Sequence, residues 1–135
     1  MAKLEPEFRK TLDEAFTQAV AHLENLDQAS VAATVDLDTL RARINQPLPQ
    51  AGAPPDQVIQ QLSADVAGGL LGSAGGRFFG WVIGGVLPAA VGADWLTSVW
   101  QQNSALYACS PAAAVVEETV GVWLKEILGL PGHAS

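Results

Sequence analysis

Residues 66–124 carry very few charges in a chain of only 135 residues, and no other feature constrains the fold as much. A stretch so apolar has to be covered, yet a chain this short has little of itself to spare for the purpose. The sequence therefore predicts an obligate oligomer or a missing partner domain. Residues 1–60, by contrast, read as an ordinary soluble sequence. Overall, 49% hydrophobic against 16% charged residues argues against disorder throughout, and the length suits one compact domain.

Charge removes several function classes. The net charge is −7, with seven Lys and Arg and no basic cluster. A phosphate-neutralising surface for nucleic acid is not expected, nor is attachment to an anionic membrane. Cys109 is the sole cysteine, so no internal disulfide can form. The N-terminus, MAKLEPEFRK, lacks the apolar core of a secretory signal, which makes a cytoplasmic protein the plain expectation.

The chain reads as mostly helical. Leu4, Phe8, Leu12, Phe16, Val20 and Leu23 make one apolar stripe along a helix over 5–26. Asp36 can cap a second helix over about 37–45, stopped by Pro47 and Pro49. Asp56 is expected to cap a third, with Val58, Ile59, Leu62 and Val66 on one face. The five glycines of AGGLLGSAGG (67–76) predict an irregular or mobile connector. Phe79 to Gly85 suits an extended segment or turn, and from Pro88 a helix should run to about Gln102. Ser110 and Pro111 open a last helix, with Val116, Val120, Trp123, Leu124 and Ile127 as its buried face. Gly129 and Pro131 close it.

Residues 78–93 carry no charge, but sixteen residues with four glycines and a proline fall short of the roughly 20 apolar residues of a membrane span. A buried interface segment is the better reading. Catalytic constellations are missing: there is no metal-ligand spacing, and the glycines lack the lysine and strand–helix setting of a phosphate loop. Ser110 before Pro111 suits a cap better than a nucleophile. Glu117 and Glu118 point about 100° apart on a helix and suit a solvated face rather than one substrate. No catalytic, cofactor-binding or metal-binding residue is therefore expected within this chain.

Two aromatic clusters remain: Phe78, Phe79 and Trp81, then Trp95, Trp100 and Tyr107. Core or interface packing accounts for each, and a pocket wall for an aromatic or apolar ligand is the functional alternative. Glycines at 80, 84 and 85 would let backbone approach a ligand or a neighbouring chain closely. Asn103, in apolar surroundings, is either a structural tie or a polar group of a pocket.

The runs RFFGWVIGG (77–85), PAAVGADWLTSVW (88–100), QNSALYACSPAAAVVEE (102–118) and WLKEILGLP (123–131) together resemble group II pyridoxal-phosphate-dependent amino-acid decarboxylases. The order and gaps of these elements match without insertion, and 1–66 matches in position and helical character. The resemblance implies the N-terminal helical flap and the start of the large domain of a fold-type I enzyme, α/β as a whole. It implies residues 1–66 as the flap, 67–76 as a connector, and 77–135 as pocket wall and helices leading into a cofactor domain. By position in the family, Trp81, Val82, Ile83 and Gly84 fall on the substrate-pocket wall, and Asn103 and Ala105 on a loop reaching a pocket at the dimer interface. Gly75-Gly76 stands where many members have His-Pro.

Pyridoxal phosphate is implied for the complete enzyme only. The family's Schiff-base lysine and phosphate loop lie beyond the span that this chain matches, and Lys3, Lys10 and Lys125 correspond to none of the family's cofactor residues. The implied partners are a second copy or a complementary C-terminal cofactor domain, with an amino acid as substrate and neither nucleic acid nor membrane. A non-catalytic helical dimerisation or interaction module derived from the same family remains the alternative.

Overall fold

The computed structural model describes residues 4–83 and 85–134, and the fold it shows is all-helical among them. Five helices follow in order: α1 (Pro6–Asn25), α2 (Leu37–Ile44), α3 (Pro55–Asp65), α4 (Pro88–Trp100) and α5 (Pro111–Leu128). Four of the five begin on proline. Its missing N–H costs nothing in the first turn, where that group has no intrahelical acceptor, and its fixed φ already suits the helix. The chain divides into two compact units, Met1–Gly85 and Val86–Ser135.

In the first unit α1 packs along α3, and α2 touches α3 more narrowly. The half-buried side of α1 mixes small, polar and apolar residues: Thr11, Glu14, Ala15, Gln18, Ala19 and Val20. Most of the apolar stripe stays open, with Phe8 and Phe16 each about 60% exposed and Leu4, Leu12 and Leu23 also exposed, while Val20 is half-buried. On α3, Ile59 and Val66 are half-buried while Val58 and Leu62 are exposed. The third helix corrects one expectation: its N-cap is Pro54, not Asp56. Pro54, extended as a residue before proline must be, leaves Asp56 inside the first turn, where its charge favours the helix N-terminus. Asp36 caps α2 as expected, its Oδ1 accepting from the Thr39 amide at 2.7 Å.

The glycine-rich stretch is bound to the loop before α2. Thr34 and Val35 both donate their amides to the Gly68 carbonyl, and Gly72 donates to Val31 at 3.1 Å. Gly72 is buried, and a Cβ there would lie 2.9 Å from the Ser30 carbonyl oxygen. Only glycine allows the two backbones to come this close. Arg43 donates to the Ala67 carbonyl at 2.8 Å, and Arg77 to that of Ala29.

In the second unit α4 and α5 do not pack on each other. α4 ends at Trp100 because Gln101 turns left-handed at φ 48°, slightly short of the expected Gln102. The Ser110 hydroxyl caps α5 by accepting from the Ala113 amide at 3.3 Å. Gly129, left-handed at φ 63°, donates to the Glu126 carbonyl, and Leu130 donates to that of Lys125. This pair of bonds is a Schellman ending. The expected buried face of α5 is not buried in this chain: Trp123 is 59% and Ile127 78% exposed, and Val116, Val120 and Leu124 are open as well. The stripe has the right periodicity but nothing lies against it.

No hydrophobic residue among those described is buried in either unit. The accessible surface is 11163 Å². Two independent compact bodies of the same total mass would expose roughly 8,000 Å². The excess goes with the many large hydrophobic side chains that stay exposed.

Candidate functional site

Residues 77–83 form an anchored turn within the first unit. Arg77 holds its base to Ala29, and the Phe78 amide donates to the Gly75 carbonyl at 3.2 Å. A tight turn follows, closed by a long 3.5 Å bond from the Ile83 amide to the Gly80 carbonyl. Its central residues, Trp81 and Val82, have φ of 62° and 53°. Positive φ is uncommon for any residue with a side chain and a real outlier for a β-branched one. The turn therefore holds strain, and it points Trp81 and Val82 outward, 84% and 106% exposed. Ile83 is about half exposed. Gly84, also expected on the pocket wall, lies outside the described residues. Neither Gly80 nor Gly85 is sterically forced, since a Cβ at either would make only ordinary contacts.

Asn103 and Ala105 share one exposed loop of the second unit. Asn103 Oδ1 accepts from the Ala105 amide at 3.1 Å, closing a local Asx-type turn. That bond uses the Asn103 carbonyl oxygen as a structural tie. Ser110 follows at the end of the loop and is buried, with its hydroxyl engaged by the cap. A buried, capping hydroxyl offers no nucleophile.

The periodicity reading missed a feature of α5. An open groove of about 470 Å³ runs along it, with Ala114, Gly121, Leu124 and Leu130 among its apolar lining and Glu117, Glu118 and Lys125 at its edges. Both glutamates border this open groove and both are exposed, as a solvated face expects. The spacing Ala114, Glu118, Gly121, Lys125 places small and charged residues alternately on one helix face, and this was the available signal. Lys125 does not stand free, because Nζ donates to the carbonyls of Ala134 at 2.8 Å and Gly132 at 3.4 Å.

A pyridoxal-phosphate cradle needs a lysine free to condense, an acid against the ring nitrogen and a nest of free amides for phosphate. Lys125 is occupied by carbonyls, and Lys10 lies exposed on α1. The amides of Gly69, Gly72 and Gly75 donate to Val66, Val31 and Gly72. The described residues thus do not fit the cofactor, and no cofactor chemistry is assigned to them. They form no cluster of metal-ligating side chains, and none of their helices is long and apolar enough to cross a membrane.

Two curated proteins are similar to this chain over nearly all of it. The aromatic-L-amino-acid decarboxylase of Bacillus atrophaeus is 27% identical over 129 residues, which is 96% of this chain and 27% of the relative. That of Catharanthus roseus is 26% identical over 125 residues, 93% of this chain and 25% of the relative. No family model matches, and no solved structure matches significantly. The chain spans about a quarter of the length of these relatives, and over that quarter it is distantly similar to aromatic-L-amino-acid decarboxylases.

Proposed function

We propose that this chain is the N-terminal part of a pyridoxal-phosphate-dependent amino-acid decarboxylase and supplies dimer interface and substrate-pocket wall. The observation that carries the reading is a similarity running through 96% of the chain and covering 27% of a decarboxylase. The uncovered faces of α1 and α5 support it, because they are surfaces made to be covered by more protein. In this reading Trp81, Val82, Ile83 and Gly84 form one wall of the side-chain pocket. Asn103 and Ala105 reach the pocket from the dimer interface. An aromatic L-amino acid is the substrate class that the relatives' names suggest, and apolar, bulky Trp81 and Val82 suit it better than an acidic side chain. The chain alone decarboxylates nothing, since the cofactor-holding residues would come from the remainder of the protein.

The test is to express the whole natural reading frame that contains residue 135, load it with pyridoxal phosphate and measure carbon dioxide released from aromatic L-amino acids. Release that depends on a lysine downstream of residue 135, with the isolated chain inert, is the expected result. A frame with no such lysine, no complementary chain and no activity would leave the non-catalytic interaction module in its place.

A further inference from the structure

We infer that Arg77 is a positioning residue: its bond to the Ala29 carbonyl seats the turn that carries Trp81 and Val82 on the loop leaving α1, and so decides where those two side chains stand. On the decarboxylase reading, on which this step rests, Arg77 thereby sets how a substrate side chain meets its pocket wall without touching the substrate.

A turn with two non-glycine residues at positive φ costs free energy and persists only where its surroundings impose it. Little in the turn itself does so. Trp81 and Val82 are exposed, and the closing bond from Ile83 to Gly80 is long, at 3.5 Å. The constraint comes from the base. On the entering side Phe78 donates its amide to the Gly75 carbonyl, and its half-buried ring lies by Gly80, where a Cβ would meet it at 3.7 Å. On the leaving side a Cβ at Gly85 would stand 3.8 Å from the Ala74 carbonyl oxygen, so the chain returns to the residues it left. The result is a compact loop with its ends together.

That base is laid along residues 26–31. A Cβ at Gly75 would lie 3.4 Å from the Leu26 carbonyl oxygen, and Gly72 donates to Val31. These are backbone approaches that any side chain at position 77 would permit. Arg77 adds a side-chain tie to the same stretch, 48 positions away, at the point where the turn begins. Its planar guanidinium fixes direction as well as distance, which a lysine ammonium does less well.

Arg77→Met removes the donors and keeps an apolar stem, whereas Arg77→Lys keeps a donor. In R77M the Ile83 amide is expected to exchange about two- to fivefold faster, read by nuclear magnetic resonance on the full chain. The Trp81 indole resonance should shift, while amides of α1 and α3 stay unchanged, because Gln60 and Glu14 tie that pair independently. R77K should recover part of the protection. Unchanged Ile83 and Trp81 signals in R77M, a loosening shared equally by α1 and α3, or no recovery in R77K would overturn the inference.

The complete protein, loaded with pyridoxal phosphate, separates this role from the reading beneath it. There R77M should raise KM for aromatic L-amino acids by about threefold or more and change kcat less. An unchanged KM beside a loosened turn would remove Arg77 from substrate selection. If even the wild type releases no carbon dioxide, the decarboxylase reading fails, and the exchange data alone decide whether Arg77 seats the turn.

Discussion

Gln60 donates from Nε2 to Glu14 Oε2 at 2.9 Å, joining α3 to α1 across 46 positions of sequence. The other oxygen of the same carboxylate accepts from Gln18 Nε2 at 2.8 Å. One glutamate thus ties the helix pair together through a polar link, beside the half-buried Ala15, Ala19, Val20 and Ile59.

Acid should loosen the pair. The Gln18 and Gln60 amides hold Glu14 below the ordinary glutamate range, Gln18 contributing more. Asp36 is held below the aspartate range by the Thr39 amide. A carboxyl group whose folded pKa is depressed adds stability above its unfolded pKa and loses it as pH falls through the folded one. Helix content of α1–α3 should therefore be level at neutral pH and decline in the acid carboxylate range. Glu14→Gln should flatten part of that decline in a circular-dichroism titration. An acid limb identical in wild type and E14Q would remove Glu14 from the account. Asp36 is exposed and Glu14 only half-buried, so the effect should be modest and weaken further in salt.

The glycine-rich segment gives a matched pair of variants. Gly72→Ala places a Cβ 2.9 Å from the Ser30 carbonyl oxygen, and neither backbone can yield without breaking the Gly72–Val31 bond. Gly76→Ala meets nothing within 4 Å. We expect G72A to lower stability of Met1–Gly85 by about 1–3 kcal/mol and G76A to be near neutral, measured by urea unfolding of the helical signal. Equal effects from both would mean that the close approach of 30–35 to 67–76 contributes nothing.

Much of this was legible in the sequence, and the failures share one cause. The helices, the caps at Asp36 and Ser110 and the glycine stop at Gly129 are local, set within one turn of chain, and periodicity and capping chemistry reveal them. Asp56 misled because two prolines before it moved the helix start back to Pro55. The stripes of α1 and α5 were visible, but which surface covers them is not a local property. Periodicity alone made Val116 and Trp123 a buried face, and within this chain they are open. At the candidate site a turn was among the expectations for Phe79 to Gly85, but its left-handed backbone at Trp81 and Val82 carried no sequence signal, since those residue types disfavour it.

Ser110→Ala should act on α5 alone. The serine is the one buried polar side chain among the described residues, and its hydroxyl satisfies the Ala113 amide. Losing a serine cap costs helices about 1 kcal/mol. The expected outcome is a several-fold drop in the α5 helix population, with α1–α3 unaffected, read by residue-resolved carbon chemical shifts. Ser110→Asp keeps a capping oxygen and should restore at least part of the loss. If S110A leaves α5 unchanged, the cap is incidental to the helix.

The strained turn offers the last test. Val82 is fully exposed, so replacing it removes no packing, yet its φ of 53° is costly for a β-branched side chain. Glycine adopts that conformation freely, at some cost in unfolded-state entropy. Val82→Gly should therefore favour the turn by up to about 1 kcal/mol, which corresponds to at most about a fivefold gain in exchange protection of the Ile83 amide that closes it. Proline at position 82, unable to reach positive φ, should open the turn and release that amide to solvent. Reduced protection in V82G would mean that the Val82 side chain holds the turn through contacts that its exposure denies. The place of Trp81 and Val82 on a pocket wall would then need an origin other than a turn that simply presents them.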